Sequence, residues 1–179
     1  IITARYVLNS IVTTIDTINA LSQLADNPES SKQIAIADLL LMTKTDMTKT
    51  LDIQLASKLK TLNPSARQIS VVNGEIDPKV IFDRRDFNPT AKLIDLQEWL
   101  GRTESSHSLD QHQHDAEIST FYLTYDTPLP WSAIKEWLQS IISLRSQDIL
   151  RIKGVIELVG FDKPVVIHGV QRAFHEPIV

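Results

Sequence analysis

Asp38-Leu39-Leu40-Leu41-Met42-Thr43-Lys44-Thr45-Asp46 joins an apolar run to a polar tetrapeptide, and the reading of that junction decides the fold. Leu39 to Met42 is too short for a helix between its flanks and fits a strand buried on both faces, as strands of parallel sheets are. Thr43 to Asp46 then sits at the carboxyl end of that strand. Upstream, the β-branched and apolar residues Ser10 to Ile15 predict a second buried strand, and Asp16-Thr17-Ile18-Asn19 supplies turn and cap chemistry after it. Ile34, Ala35 and Ala37 end a short helical segment between the two strands. Downstream, Leu51, Leu55, Leu59 and Leu62 recur at helical spacing after Thr48, a candidate N-cap, and Asn63-Pro64 closes the helix. Arg67 to Val72 reads as the next strand, ended by Asn73-Gly74, and Pro78 to Phe82 as a short helix.

Strand, helix, strand, helix, strand describes half of a doubly wound α/β sheet, whose ligands bind beyond the carboxyl ends of the strands. Thr43–Asp46 and Val72–Gly74 both occupy such ends. Composition then shifts. The sequence divides into a first domain over 1–90, a linker over 91–115 that opens with a helix at Ala91 to Leu100 and turns polar after Gly101, and a second α+β domain over 116–179. In the second domain Glu117 to Tyr125 alternates as a half-exposed strand would. Trp131, Ile134, Trp137, Leu138, Ile141 and Ile142 form a helical stripe after Pro130, and apolar strands follow at about 149–159 and 164–170.

The whole chain of 179 residues, 42% hydrophobic, can bury a sizeable core in one domain or two small ones. A net charge of −4 with scattered Lys and Arg gives no basic stripe, which argues against nucleic acid as a partner. No apolar run approaches the roughly 20 residues that span a bilayer, and Ile1 to Arg5 lacks signal-peptide order, so the expected location is cytoplasmic with no membrane partner. With no cysteine, any metal must be held by His, Asp or Glu.

Guanine presents an N1 proton and a 2-amino group together, and a carboxylate can accept from both. Asp46 offers that carboxylate, and the stem of Lys44 can lie along a purine face with its ammonium in water. The plainer reading of a Lys-x-Asp after a strand is a solvated loop. Asn73-Gly74 is likewise either a simple turn or the place where a backbone amide, of Val72 or Asn73, meets the guanine oxygen.

The stretch Asp38 to Asp46 resembles the corresponding stretch of the CobW family of G-protein-like metallochaperones, where Asn or Thr is common at the position of Thr43. The resemblance extends to Val12-Thr13-Thr14-Ile15-Asp16-Thr17-Ile18-Asn19-Ala20, Leu62-Asn63-Pro64-Ser65-Ala66 and Gly74-Glu75-Ile76-Asp77-Pro78. It continues as Leu150-Arg151-Ile152-Lys153-Gly154-Val155 and His168-Gly169-Val170-Gln171, so that it covers nearly the whole chain. It implies a P-loop-type GTPase sheet followed by the family's C-terminal domain. It also implies a parent protein that binds GTP and magnesium, hydrolyses GTP, and delivers a divalent metal such as zinc or cobalt to client metalloproteins or to cobalamin synthesis. Thr43, Lys44, Asp46 and Asn73 are then the nucleotide contacts.

The family's phosphate-binding loop, Gly-x-x-x-x-Gly-Lys-Ser/Thr, has no counterpart among the five glycines here, at 74, 101, 154, 160 and 169. Its acidic magnesium motif and Cys-rich metal motif also lie upstream in the family. On this reading the chain is a fragment, open at both ends, with no catalytic residue of its own. Phosphoryl transfer rests on positioned phosphates and charge, so the expectation is neither tight GTP binding nor hydrolysis.

His107, His112 and His114 place three of the five histidines in the linker, with Asp110 and Asp115 nearby. Imidazole and carboxylate suit divalent transition metals, and in an extended segment His112 and His114 can face one ion. Polar linkers also collect such residues for solubility alone. The family's histidine-rich interdomain stretch favours weak metal loading here. Trp131 and Trp137 are read as core, His168 as a core or edge histidine, and Arg151 and Lys153 as one sheet face, either solvated or in contact with a partner or the nucleotide domain. A non-enzymatic metal- or protein-binding module is the competing function.

Overall fold

The computed structural model describes residues 9–48, 52–82, 100, 118–145, 147–170 and 173–174. They fall into two compact units. The helix expected at 91–100, apart from Leu100, and the histidine segment lie outside the described residues, as does Leu51.

The first unit is built on a three-stranded parallel sheet in the order β1 (Val12–Asp16), β2 (Leu39–Thr43), β3 (Arg67–Val71). Register sets Asp16 beside Thr43 and Thr43 beside Val71, so the three strands end level with one another. The apolar run predicted as a buried strand of a parallel sheet is β2, the middle one of the three. Because side chains alternate across a strand, Leu40 and Met42 enter one core and Leu39 and Leu41 another.

On the first face lie α1 (Ala20–Asp26), α2 (Pro28–Ile36) and α3 (Ile53–Leu62), which contribute Leu24, Ile34, Leu55, Leu59 and Leu62. On the second, Val80 and Ile81 of α4 (Pro78–Phe82) pack with Ile69 and Val71. Helices therefore cover both faces of an α/β parallel sheet. The cap of α3 is Asp52, whose carboxylate accepts from the Gln54 amide at 2.7 Å, and not Thr48. Thr48 instead donates its hydroxyl to Thr45 O at 3.4 Å. The helix α1 follows directly on the turn at Asp16–Asn19.

Asn63 ends α3 and is buried. Its Nδ2 donates to Ile34 O at 2.7 Å, Ala35 O at 3.2 Å and Ala37 O at 2.8 Å, while its Oδ1 accepts from Ser65 Oγ. One side chain thus donates to three carbonyls at the end of α2, where backbone donors run short; of these, Ile34 O also accepts from the Ala37 amide at 3.2 Å. This gives Asn63 a physical reason within the Leu-Asn-Pro-Ser segment.

The second unit holds α5 (Trp131–Arg145) against an antiparallel sheet of β4 (Arg151–Ile156), β5 (Val165–Val170) and β6 (Ala173–Phe174). Ile134 and Leu138 of α5 meet Val165 and Ile167, with Trp131, Ile152 and Ile156 packed around them. Trp137 departs from the reading as core: it is 39% exposed and lies off the face carrying Ile134 and Leu138. The alternating segment up to Tyr125 also differs, since residues 118–125 form no strand and Phe121, Leu123 and Tyr125 are exposed. Gly154 stands opposite Ile167, where an added Cβ would come within 2.9 Å of Ile167 Cγ1. Among the described residues no helix is long and apolar enough to cross a membrane.

Candidate functional site: the carboxyl edge of the parallel sheet

Three polar turns leave the carboxyl edge of the parallel sheet: Asp16–Asn19 after β1, Lys44–Met47 after β2 and Val72–Glu75 after β3. Their spacing follows from the level ends of the strands. At Lys44 the backbone turns through the left-handed region, with φ 59°, into a single 3-10 turn over Thr45–Met47. Such a conformation suits Gly or Asn, and for other L residues it costs about 1–2 kcal/mol. A lysine there is held by its surroundings. Thr17 anchors the strand end from β1, its amide and hydroxyl donating to Thr43 O at 3.2 and 2.8 Å, and Thr43 Oγ1 donates back to Ile15 O at 3.0 Å. The Thr43 hydroxyl, one of the predicted nucleotide contacts, thus ties β2 to β1.

The Lys44 ammonium, exposed as the sequence suggests, also has a partner. It pairs with Asp16 Oδ2 at 2.8 Å, the two side chains being 48% and 21% exposed. The same carboxylate accepts from Asn19 Nδ2 at 2.9 Å and from the amides of Ile18 and Asn19 at 3.0 and 3.4 Å. Lys44 first, then the Asn19 side chain, then the two amides hold the Asp16 carboxyl well below the usual carboxylate range. Sequence reading sees Asp16 only as turn chemistry. Its position at the end of a strand parallel to β2 is the signal that brings it to Lys44.

Asp46 lies exposed in the 3-10 turn, two residues past Lys44, and makes no ion pair among the described residues. Beyond β3, Asn73 and Gly74 both take positive φ, 53° and 77°, and Glu75 N donates to Val72 O at 2.9 Å. This is a type I′ turn, for which Asn-Gly is the preferred pair. Because Thr43 neighbours Val71, the turn leaves the edge beside Lys44. The structure therefore gathers Thr43, Lys44, Asp46 and Asn73 at one edge and adds Asp16. An exposed carboxylate, a lysine stem and a backbone turn on neighbouring strand ends suit the flat, donor-bearing edge of a purine. Among the described residues no group of three or more His, Asp or Glu is gathered as a metal would require.

In the second unit Arg151 Nη2 lies 3.3 Å from His168 Nε2. Both residues are half-buried, so His168 belongs to the sheet face that carries Arg151 and Lys153.

Comparison with known proteins agrees with this division. The profile described as CobW/HypB/UreG, nucleotide-binding domain matches residues 1–70, and that of the cobalamin synthesis protein cobW C-terminal domain matches residues 118–177. The zinc chaperone YjiA of Escherichia coli K12 is 24% identical over 170 residues, covering 95% of this chain and 51% of YjiA. The crystal structure of the Zn(II)-bound YjiA GTPase from E. coli superposes with a TM-score of 0.68 at 21% identity, over 97% of this chain and 52% of that one. A Zn(II)-bound triple mutant of the same GTPase gives a TM-score of 0.67 at 22% identity, over the same shares. The chain spans about half the length of the relatives it matches. With the nucleotide-binding profile on the parallel sheet and the C-terminal profile on the second unit, the chain belongs to the CobW family.

Proposed function

We propose that this chain carries the base-reading half of a guanine-nucleotide site in a GTPase metallochaperone. In this reading Asp46 accepts from guanine N1–H and the 2-amino group, the Lys44 stem lies along the base, and the Asn73 turn faces the guanine oxygen. The observation that carries it is the placement of Lys44, Asp46 and Asn73 together on level, neighbouring strand ends of a parallel sheet. The crevice outside the carboxyl ends of parallel strands is the general ligand position of doubly wound folds, to which we assign this sheet. Thr43 serves as the strand-end anchor that sets Lys44. GTP's phosphates and their magnesium need a backbone cradle with a lysine and a hydroxyl. The chain's 179 residues contain no Gly-x-x-x-x-Gly-Lys-Ser/Thr to supply one, so the fit extends to the base alone.

The cargo is a divalent metal, with zinc favoured by the names of the relatives. His107, His112 and His114 are the residues to load it, in the linker between a nucleotide-binding domain over 1–90 and a C-terminal domain over 116–179. Delivery is to a client metalloprotein.

The test is a chemical-shift titration of the 179-residue chain with guanosine and adenosine monophosphates, which differ only in the base. Guanosine monophosphate is expected to perturb Lys44, Asp46 and Asn73 at millimolar concentration, with adenosine monophosphate binding at least several-fold more weakly. Equal responses to the two would refute the guanine reading and leave a non-enzymatic module.

A further inference from the structure

The base-reading residues leave Asp16 without a role. Yet it is the most heavily hydrogen-bonded carboxylate at the sheet edge, and its strongest contact is with Lys44. We propose that Asp16 is a positioning residue of the guanine site, holding the Lys44 ammonium at the edge of β1 so that the lysine stem forms a fixed wall for the base. This rests on the guanine reading above.

Two consequences of the geometry support it. A lysine stem has several free torsions, and a base stacking on a mobile one would have to order it. Asp16 orders it beforehand. The carboxylate can do so because it is itself fixed by the Asn19 side chain and two amides, and because register places it beside Thr43, the residue before Lys44. The second consequence concerns Asp46. Lys44 and Asp46 are two residues apart, and an unclaimed ammonium could fold onto the Asp46 carboxylate and occupy the acceptors that guanine needs. In the structure the ammonium is on Asp16, and Asp46 makes no ion pair among the described residues. Asp16 therefore supplies one wall of the site and keeps its acceptor open. The left-handed backbone at Lys44 points the same way, since a position that favours Gly or Asn carries a long cationic side chain that has a designated partner.

A competing role is a latch, in which Asp16 pulls Lys44 away from the base. The two roles predict opposite signs. The experiment measures guanosine monophosphate affinity by chemical-shift titration of the full 179-residue chain for wild type, Asp16→Asn, Lys44→Met and the double variant. Asp16→Asn keeps an oxygen for the Ile18 amide, so the turn survives; its amide fingerprint in the absence of nucleotide checks this. Removing an exposed ion pair of this kind is expected to weaken binding roughly two- to fivefold. In the Lys44→Met background, Asp16→Asn should change nothing, because its partner is already gone. Unchanged or tighter binding by Asp16→Asn, or an equal loss in both backgrounds, overturns the proposal. Equal affinity of the wild type for guanosine and adenosine monophosphates refutes the guanine reading itself, and this assignment with it.

Discussion

Asp16 and Lys44 stand 28 positions apart in sequence and 2.8 Å apart in space. Parallel register brings them together: β1 and β2 end level, Asp16 lies beside Thr43, and the left-handed turn at Lys44 follows at once. Each link can be tested.

The ion pair has a pH signature. A carboxyl whose folded pKa lies below its unfolded value, about 3.9, contributes its stabilisation in full above that value. The contribution is lost as pH falls through the lower, folded pKa. Asp16 is such a group. The side-chain carboxyl carbon of Asp16 should therefore stay in its ionised position as pH falls through 4, and in Lys44→Met its titration should move up toward the ordinary aspartate range. Titration of Asp16 in the ordinary range in the wild type would show that the pair does not persist in solution.

Asn63 should be a stability hot spot of the first unit. Asn63→Ala removes the donor shared by Ile34, Ala35 and Ala37 carbonyls and the acceptor for Ser65. About 2 kcal/mol of destabilisation is expected. Asn63→Asp should cost at least as much, because it sets an acceptor-only group against three carbonyl oxygens. Denaturant midpoints followed on amides of β2 and α3 report this unit alone.

Gly154→Ala should destabilise the second unit by about 1–3 kcal/mol, the usual range for an extra carbon in a packed core. The clash is with Ile167 Cγ1 at 2.9 Å. In an Ile167→Ala background the same substitution should cost clearly less. A cycle with no coupling would show that the constraint on Gly154 lies elsewhere.

Zinc should bind the chain weakly. Joint substitution of His107, His112 and His114 by Ala should remove most of the heat in a calorimetric zinc titration. Retention of zinc binding in the triple variant would move the metal away from the linker.

Much of the parallel unit was legible because its signals were local. Leu39–Met42 is apolar without interruption, and Leu55, Leu59 and Leu62 repeat at helical spacing and are all buried. The helix α1 was not legible: it spans only Ala20–Asp26, has no side-chain cap and buries only Ala20 and Leu24. Alternation up to Tyr125 predicts a strand, and none forms over 118–125. Trp137 misled because a helical stripe wider than the buried face includes residues at its margin. At the sheet edge, Lys44, Asp46 and Asn73 were visible as short motifs beside strand ends. Asp16 was not visible as their companion, because an ion pair between distant segments depends on register that no local pattern encodes.

The central claim is that Asp46 reads guanine, and base selectivity tests it most directly. Xanthine carries an oxygen where guanine carries its 2-amino group, and a carboxamide matches it by accepting from N1–H and donating to that oxygen. Asp46→Asn should therefore weaken guanosine monophosphate and strengthen xanthosine monophosphate, inverting the preference by about tenfold or more. If Asp46→Asn leaves the relative affinity for the two nucleotides as it is in the wild type, Asp46 does not read the base and the assignment of this edge as a guanine site is wrong.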